Sequence, residues 1–197
     1  MMGHLTRLHD SGSFSSKWTS YVKGILDSCG QSNVWNSTAP INIEWLKRSL
    51  DQTLKDQFLQ SWRQDLESKS SCNFYVSFKT DFKLERYLLL THQKIQKALC
   101  QFRTSNNKLP KITGRCRNIP RHERYCTACD KNVLGDEYHL LIECTNQVIA
   151  QARDRYLPKF LLCRPSMAKC SSWICQLSAK DEISLGKFLV ETLEIFK

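Results

Sequence analysis

Apolar residues recur every three or four positions along most of this chain, which is the period of an amphipathic α-helix. The first such stripe begins near Ser16 and ends at Gly30, a residue type that commonly follows a helix. The longest stripe begins at Pro40 and predicts a helix of about 25 residues, about 37 Å long. Its apolar positions are Ile43, Leu46, Leu50, Leu54, Phe58, Trp62 and Leu66. Because helix-spaced apolar residues usually pack together, we expect this stripe to form core.

Further helices are predicted after the long one. Residues 74–90 mix strand-like alternation with helical spacing, and we favour a short irregular segment followed by a helix. Helical spacing then recurs at 92–103, 148–156 and 167–176, and from Asp181, a candidate N-cap, to the end. The 197 residues include only 7 glycines and 5 prolines, which argues against a strand-and-turn-rich fold. The predicted fold class is therefore mainly α, a helical bundle.

One stretch, from Cys126 to Cys144, carries a regular spacing of cysteine and histidine. Two residues separate Cys126 from Cys129, and His139 and Cys144 follow. Three thiols and one imidazole at this spacing suit a tetrahedral zinc site. Asp136 can cap a short helix that carries His139 towards Cys144. Four protein ligands leave no open coordination position, so we predict a structural Cys3His zinc module embedded in the bundle.

Other interpretations of the cysteines stay open at the sequence level. Cys116 and His122 lie close by and could replace one ligand, although their spacing is less regular. A chance cluster of buried thiols is the alternative in a chain with 10 cysteines. The N-terminus has no apolar signal-peptide core, and no apolar run reaches the roughly 18–20 residues of a membrane span. We therefore expect an intracellular protein, in nucleus or cytoplasm, with free thiols and no membrane partner.

Positive charge is concentrated directly before the cysteines. The chain has a net charge of +10, and residues 101–125 hold seven basic residues and one acidic residue, a net +6. The basic residues are Arg103, Lys108, Lys111, Arg115, Arg117, Arg121 and Arg124. Prolines and a glycine predict that this segment is loop-like and extended. A zinc ion with three thiolates carries one negative charge, which does not need so many cations, so binding of nucleic-acid phosphates is favoured.

Four parts make up the predicted domain organisation. Residues 1–14 are expected to be a flexible terminus, and 15–104 a helical region. Residues 105–160 combine the basic loop with the zinc module, and 161–197 form C-terminal helices that pack on the rest. The sequence contains no Gly-rich phosphate loop, nucleophile elbow or kinase signature. We therefore predict no catalytic residues and no enzymatic activity.

The basic and cysteine-containing stretch resembles the zinc-binding region downstream of reverse transcriptase in non-LTR (LINE-type) retrotransposons of animals. The matching positions are Phe102-Arg103-Thr104-Ser105-Asn106, Gly114-Arg115, Ile119-Pro120-Arg121, Arg124, the four ligands and Asp136-Glu137-Tyr138. Similar positions upstream are Trp45-Leu46-Lys47, Asp56-Gln57-Phe58, Trp62, Phe78-Lys79 and Glu85-Arg86-Tyr87-Leu88. The resemblance covers roughly residues 15–160 and is most specific over 101–144.

This resemblance implies that the region binds zinc and helps to bind the RNA or the target DNA of the element. The chain has no aspartate pair of the kind that holds catalytic magnesium in a polymerase, so we expect a C-terminal fragment of such an element or a gene derived from one. The leading hypothesis is non-catalytic binding of RNA or DNA backbone through the arginine-rich segment. The reverse transcriptase encoded upstream is a second candidate partner. The alternative is a zinc-structured protein–protein interaction module, or an inert remnant of the element.

Overall fold

A computed structural model describes residues 17–196, and helices dominate that range. No β-strand occurs within it, although an isolated antiparallel bridge joins Tyr125 to Leu134. The predicted fold class, mainly α with an embedded Cys3His module, is confirmed. The flexible terminus predicted for residues 1–14 lies outside the described residues. No helix in the described range is both long and apolar enough to cross a membrane.

The helices follow one another with short connections. The α-helices are α1 (Lys17–Ser28), α2 (Ser32–Asn36), α3 (Ile43–Ser68), α4 (Asn73–Val76), α5 (Gln93–Arg103), α6 (Pro110–Cys116), α7 (Gln147–Tyr156), α8 (Met167–Cys175) and α9 (Ala179–Thr192). Short 3-10 turns occupy Ser70–Cys72, Arg86–Leu89, Arg121–Glu123, Lys159–Cys163 and Leu193–Ile195, and a π turn occupies His139–Glu143.

The described residues divide into two compact units, with the boundary between residues 65 and 66, near the C-terminal end of α3. The first unit has a small apolar core. It consists of Leu26 from α1, Val34 and Trp35 from α2, and Leu46 from α3.

The apolar stripe of α3 is mostly not core, contrary to the sequence-based prediction. Within the described range, Leu46 is the buried residue of α3, whereas Ile43 and Leu54 are exposed. The lengths of the helices explain this. With a rise of 1.5 Å per residue, the 26 residues of α3 extend about 39 Å and the 12 residues of α1 about 18 Å. Within the first unit, the small core therefore covers only the first turns of α3.

The core of the second unit forms mainly between α5 and α9. Phe102 of α5 and Phe188 of α9 are fully buried, and Ile149 of α7 joins the same cluster. Gly186 lies against Ile95, and a Cβ atom at position 186 would collide with the Ile95 Cγ2 methyl. Glycine therefore allows α5 and α9 to approach closely at this point.

A cluster of charged side chains is buried beside this core. Arg103 Nη2 donates to Glu85 Oε2 at 2.7 Å, and Lys79 Nζ lies 2.7 Å from Glu85 Oε1. The Tyr75 hydroxyl donates to the same Oε1 at 3.2 Å, and the Arg103 guanidinium lies 4.5 Å from the centre of the Phe78 ring. Burial, together with the Glu85 carboxylate, raises the pKa of Tyr75 to about 12. One carboxylate thus pairs with two cations and accepts a hydrogen bond from a hydroxyl at the edge of the core.

This cluster explains why the helix expected at the end of residues 74–90 does not form. After α4, the chain is irregular until the 3-10 turn at Arg86–Leu89. Glu85 forms ion pairs with both Lys79 and Arg103 of α5. The backbone between residues 79 and 85 must place both side chains on the side that faces α5. The buried ion pairs therefore shape this stretch more than its helical spacing does.

The basic segment also differs from its prediction as an extended loop, because residues 110–116 form α6. Pro110 occupies the first turn of α6, where its fixed φ suits a helix and its missing N–H is not needed. Leu109 and Ile112 are buried and anchor the helix. Local apolar anchors thus outweigh the loop signal from Pro110 and Gly114.

The last helix begins at a different cap from the predicted Asp181. Ser178 is the N-cap of α9, and its Oγ accepts a hydrogen bond from Asp181 N at 3.2 Å. In return, Ser178 N donates to Asp181 Oδ2 at 3.3 Å, which completes a capping box. Asp181 therefore lies in the first turn, where a carboxylate also interacts favourably with the helix dipole.

We expect Ser178→Ala to destabilise the second unit by about 1 kcal/mol, because it removes the side-chain acceptor of the N-cap. Urea unfolding followed by circular dichroism measures the change. Ser172→Ala, at an exposed position inside α8, is the matched control and should be nearly neutral. Equal effects of the two substitutions would contradict the assignment of Ser178 as the cap.

Candidate metal centre and the adjoining basic segment

The first two cysteines lie on a tight turn that is closed by the backbone. Tyr125 and Leu134 form the isolated bridge, and Cys126 N donates to Val133 O at 2.8 Å. Gly135 follows at a point of close approach, since a Cβ there would lie 3.0 Å from the backbone Cα of Cys126. The turn places Cys126 and Cys129 so that both sulfurs reach the same group of ligand atoms.

The other two candidate ligands are positioned by the π turn. Asp136 Oδ1 accepts a hydrogen bond from His139 N at 2.9 Å, which confirms the predicted capping role of Asp136. Cys144 N then donates to His139 O at 2.8 Å, a contact between residues five apart. In a regular α-helix, side chains five residues apart point about 140° away from each other. The wider π turn keeps His139 and Cys144 on one side.

These elements bring the four predicted ligand atoms together. The Sγ atoms of Cys126 and Cys144 are 3.9 Å apart, and Cys129 Sγ is 3.4 Å from His139 Nε2. All four ligand atoms lie within 4.8 Å of one another. The separation of the sulfurs is about twice a disulfide bond length of about 2.05 Å, and all three cysteines are free. The group could therefore hold one metal ion.

Three of the four candidate ligands are buried, and Cys129 is half-buried. Cys144 is 1% exposed and His139 is 2% exposed, and Cys126 is also buried. Cys126 and Cys144 belong to the same apolar cluster as Phe102 and Phe188. The metal-binding group is therefore part of the core of the second unit, and a change at this group affects the packing around it.

Hydrogen bonds within the group shift the pKa values of two of its cysteines and of its histidine. The hydrogen bond between Cys144 and Cys126 holds the pKa of Cys126 well below its ordinary value and raises that of Cys144. Burial alone would lower the pKa of His139, but its hydrogen bonds with Cys126 and Cys129 outweigh burial and raise it. The lowered pKa favours the thiolate form of Cys126, which is the form of cysteine that ligates metals.

Two residues that the sequence analysis did not identify support the site. Arg153 is buried in α7, and its Nη2 donates to the carbonyl oxygens of Leu140 and Cys144, each at 3.1 Å. Asn146 caps α7, and its Nδ2 donates to Ala128 O at 2.9 Å, which ties the cysteine turn to that helix. Asn146 was recognisable as an N-cap directly before an apolar stripe. Arg153, a charge on the buried face of α7, had no such signal.

Glu143 is the group best placed to orient the imidazole. His139 Nδ1 is buried without a hydrogen-bond partner, and Glu143 Oε2 lies 3.6 Å away, too far for a good hydrogen bond. Metal-ligating histidines usually donate their second ring N–H to a carboxylate or a carbonyl. A small movement of the partly exposed Glu143 would provide that contact.

The alternative ligands stay outside the group. Cys116 is exposed at the end of α6. His122 is exposed and faces Glu123, with Nε2 3.3 Å from a carboxylate oxygen. The ambiguity left by the sequence is therefore resolved in favour of Cys126, Cys129, His139 and Cys144.

Comparison of this chain with protein-family models, with curated proteins and with solved structures finds no match. The chemical features that remain to be interpreted are the Cys3His group and the basic segment that precedes it.

Three of the seven predicted phosphate-binding residues are engaged inside the protein. Arg103 does not lie on the exposed basic surface, because this side chain is 5% exposed and pairs with Glu85. Lys111 Nζ lies 2.7 Å from Oε2 of the buried Glu137. Arg124 Nε donates to a backbone carbonyl, that of Ile119, at 2.8 Å. Carboxylates therefore pair with Arg103 and Lys111, whereas backbone carbonyls hold Arg124 in place without offsetting its charge.

Glu137 links the basic segment to the metal-binding group. Besides the ion pair with Lys111, its Oε1 accepts a hydrogen bond from Ser105 Oγ at 2.7 Å. In the backbone, Lys111 N donates to Gly135 O at 3.0 Å. The first turn of α6 and the preceding Ser105 are thus held near the turn that carries the ligands, which sequence spacing alone did not predict.

The other four cations of the segment are exposed. They are Lys108, Arg115, Arg117 and Arg121. Within residues 17–196, none of the four makes an ion pair or a side-chain hydrogen bond. Arg115 lies in α6 and Arg121 begins the following 3-10 turn, while Lys108 and Arg117 lie close to the two ends of α6. A structured surface rather than an extended loop therefore carries these cations.

Proposed function

We propose that the metal ion held by Cys126, Cys129, His139 and Cys144 is zinc. Zinc prefers sulfur and imidazole ligands in a tetrahedron, with bonds of about 2.3 Å to sulfur and about 2.0–2.1 Å to nitrogen. A regular tetrahedron with these bonds separates two sulfurs by about 3.8 Å and a sulfur from a nitrogen by about 3.5 Å. The separations of 3.9 Å and 3.4 Å between the side chains agree with these values. Four protein ligands make such a zinc ion structural.

We further propose that the chain is a non-catalytic nucleic-acid-binding accessory domain that contacts RNA or DNA backbone. The observation that carries this proposal is the set of unpaired exposed cations at Lys108, Arg115, Arg117 and Arg121. Cations without carboxylate partners are available to displace counterions from phosphates. Glu137 contacts Lys111 in the first turn of α6 and Ser105 before it, so the basic segment is attached beside the candidate zinc ligands.

The resemblance described above supports an origin in a non-LTR retrotransposon. It also suggests a second partner, the reverse transcriptase encoded upstream, and an intracellular location where such elements act. A protein–protein interaction module is the alternative function, and it does not require the arginines to bind phosphates.

Binding of a single-stranded RNA or DNA oligonucleotide is expected to weaken steeply with salt. Four phosphate contacts predict a slope of log K against log salt of about −3 for single strands. The double substitution Arg117→Glu with Arg121→Glu should abolish binding, because it reverses two of the four charges. Filter binding or fluorescence anisotropy over a range of salt concentrations measures both quantities.

Lys169→Glu with Lys187→Glu is the matched control. It changes the net charge equally, at exposed positions on α8 and α9, and should leave most of the affinity intact. Absence of binding in the unsubstituted protein, or binding that ignores salt, would refute the proposed function. If Arg117→Glu with Arg121→Glu loses nucleic-acid binding but still binds the polymerase, the nucleic-acid-binding function is distinguished from the interaction module.

A further inference from the structure

A basic pocket lies beside α6 in the second unit. It has a volume of 340 Å³, and its lining combines polar side chains from the turn after α3 with cations from the basic segment. The residues that matter here are Ser70, Asn73, Lys111, Arg115, Arg121 and Arg124. Ser70 and Asn73 lie about forty residues before Lys111 in the sequence, so only the fold brings them to the same pocket.

Arg124 is held in a fixed position at this pocket. A Cβ atom at position 114 would lie 2.6 Å from Arg124 Cγ, so the absence of a side chain at Gly114 lets Arg124 lie across α6. Its Nε donates to Ile119 O at 2.8 Å, and its Nη1 donates to Lys111 O at 3.1 Å. Nη2 makes no hydrogen bond within residues 17–196 and remains available to a ligand. A guanidinium that is already ordered loses little entropy on binding.

The charge of the lining is strongly positive. The ion pair with Glu137 offsets Lys111, and no acidic residue lines the pocket. Arg115 and Arg121 have no ion-pair partner in the described part of the chain. Three arginines without a carboxylate partner therefore line one cavity, which gives it a positive potential that attracts an anion.

Neutral side chains that can donate hydrogen bonds line the same pocket as these arginines. Neither Ser70 Oγ nor the Asn73 side-chain amide hydrogen-bonds to another group in the part of the chain described here. A planar carboxylate has two oxygens and is satisfied by one guanidinium. A phosphate group has more acceptor oxygens in tetrahedral directions, which suits donors that approach from several sides.

We propose that this pocket receives one phosphate group of a bound RNA or DNA strand. The proposal rests on the proposed function and adds to it a defined site, in which Ser70 and Asn73 act together with the arginines. It assigns different roles to two neighbouring cations, since Arg121 lines the pocket and Arg117 does not. The phosphate is either a terminal monoester or an internal diester of the strand. Comparing strands with a 5′-phosphate and with a 5′-hydroxyl distinguishes the two.

Direct binding of phosphate is tested by NMR titration of the zinc-loaded protein with inorganic phosphate. Sodium chloride at the same ionic strength is the reference. We expect phosphate-specific shifts of the amides of residues 70–73 and of α6, retained in Arg117→Gln and lost in Arg121→Gln. Shifts that are absent, or that both variants lose equally, would overturn the site.

Oligonucleotide binding provides the second test. Asn73→Ala and Arg121→Gln should each weaken binding, with about a tenfold loss for Arg121→Gln, which removes a charged hydrogen bond. Asn73→Ala should leave the salt dependence unchanged because no charge is lost, whereas Arg121→Gln should reduce the slope by about 0.7. Arg117→Gln should reduce the slope similarly while preserving competition by inorganic phosphate.

The two proposals fail in different ways in this experiment. If the unsubstituted protein binds no oligonucleotide, the proposed function fails. If it binds, but Asn73→Ala has no effect and Arg121→Gln behaves as Arg117→Gln does, only the pocket is refuted. Preference for a strand with a 5′-phosphate over a 5′-hydroxyl strand assigns a terminal phosphate, and equal binding assigns an internal one.

Discussion

Removal of the metal ion is expected to unfold the region around α6 and the cysteine turn, residues 110–160, before the remaining helices of the second unit. Structural zinc contributes about 10–16 kcal/mol of apparent binding free energy in small peptides. A whole domain has a net stability of only about 5–15 kcal/mol, so the protein has no reserve that could replace this contribution. Without the ion, Cys126, Cys144 and His139 would remain as polar groups in a buried cluster. The pair of α5 and α9 should persist longest, because the two helices also contact each other directly, for example where Gly186 lies against Ile95 and Leu99.

Hydrogen exchange before and after chelation measures this order of unfolding, with metal content followed in parallel. Cys144→Ser should reproduce the loss of protection in residues 110–160. Cys163→Ser, at an exposed cysteine outside the group, is the control and should leave both metal content and protection unchanged. Unchanged protection between Cys126 and Cys144 after complete removal of the metal would refute a structural role.

Glu85→Leu is expected to destabilise the second unit by about 3–5 kcal/mol. The substitution leaves Arg103 and Lys79 buried without their shared carboxylate, and an uncompensated buried charge has a cost in this range. The side chains of the three residues are only 6–12% exposed, so solvent cannot take over the role of the carboxylate. The large effect comes from the cations left behind and not from the attraction that is lost.

A second substitution tests that explanation. Adding Arg103→Met to Glu85→Leu should recover much of the lost stability, because an apolar chain of similar length then fills the site. Asp81→Asn removes an exposed ion pair with Lys83 in the same segment and should leave the urea midpoint unchanged. If the double variant is as unstable as Glu85→Leu alone, the energetic account of this cluster is wrong.

Local patterns were sufficient to predict most helices, because short-range spacing decides which side of a helix is apolar. The stripes after Ser16, Pro40 and His92 all correspond to helices in the structure. Helix ends were less well predicted. Ser178 and Asp181 both have the chemistry of an N-cap, and only the backbone shows which of them adopts the capping position.

The candidate site was predicted better than the surface beside it. Metal ligands must have particular side chains at restricted spacings, and so Cys126, Cys129, His139 and Cys144 could be recognised without a structure. Cations carry no comparable restriction. Arg103 and Arg117 look equivalent in the sequence, but one is buried with Glu85 and the other is exposed.

The sequence by itself determined a mainly helical protein with four side chains that could hold a metal ion and a concentration of positive charge before them. These properties follow from local periodicity, ligand chemistry and composition. Tertiary structure alone decided which positive charges remain free, because the partners that neutralise the others, Glu85 and Glu137, lie 18 and 26 residues away from Arg103 and Lys111. It also joined Ser70 and Asn73 to the arginines in one pocket, since long-range packing and not sequence spacing sets that distance.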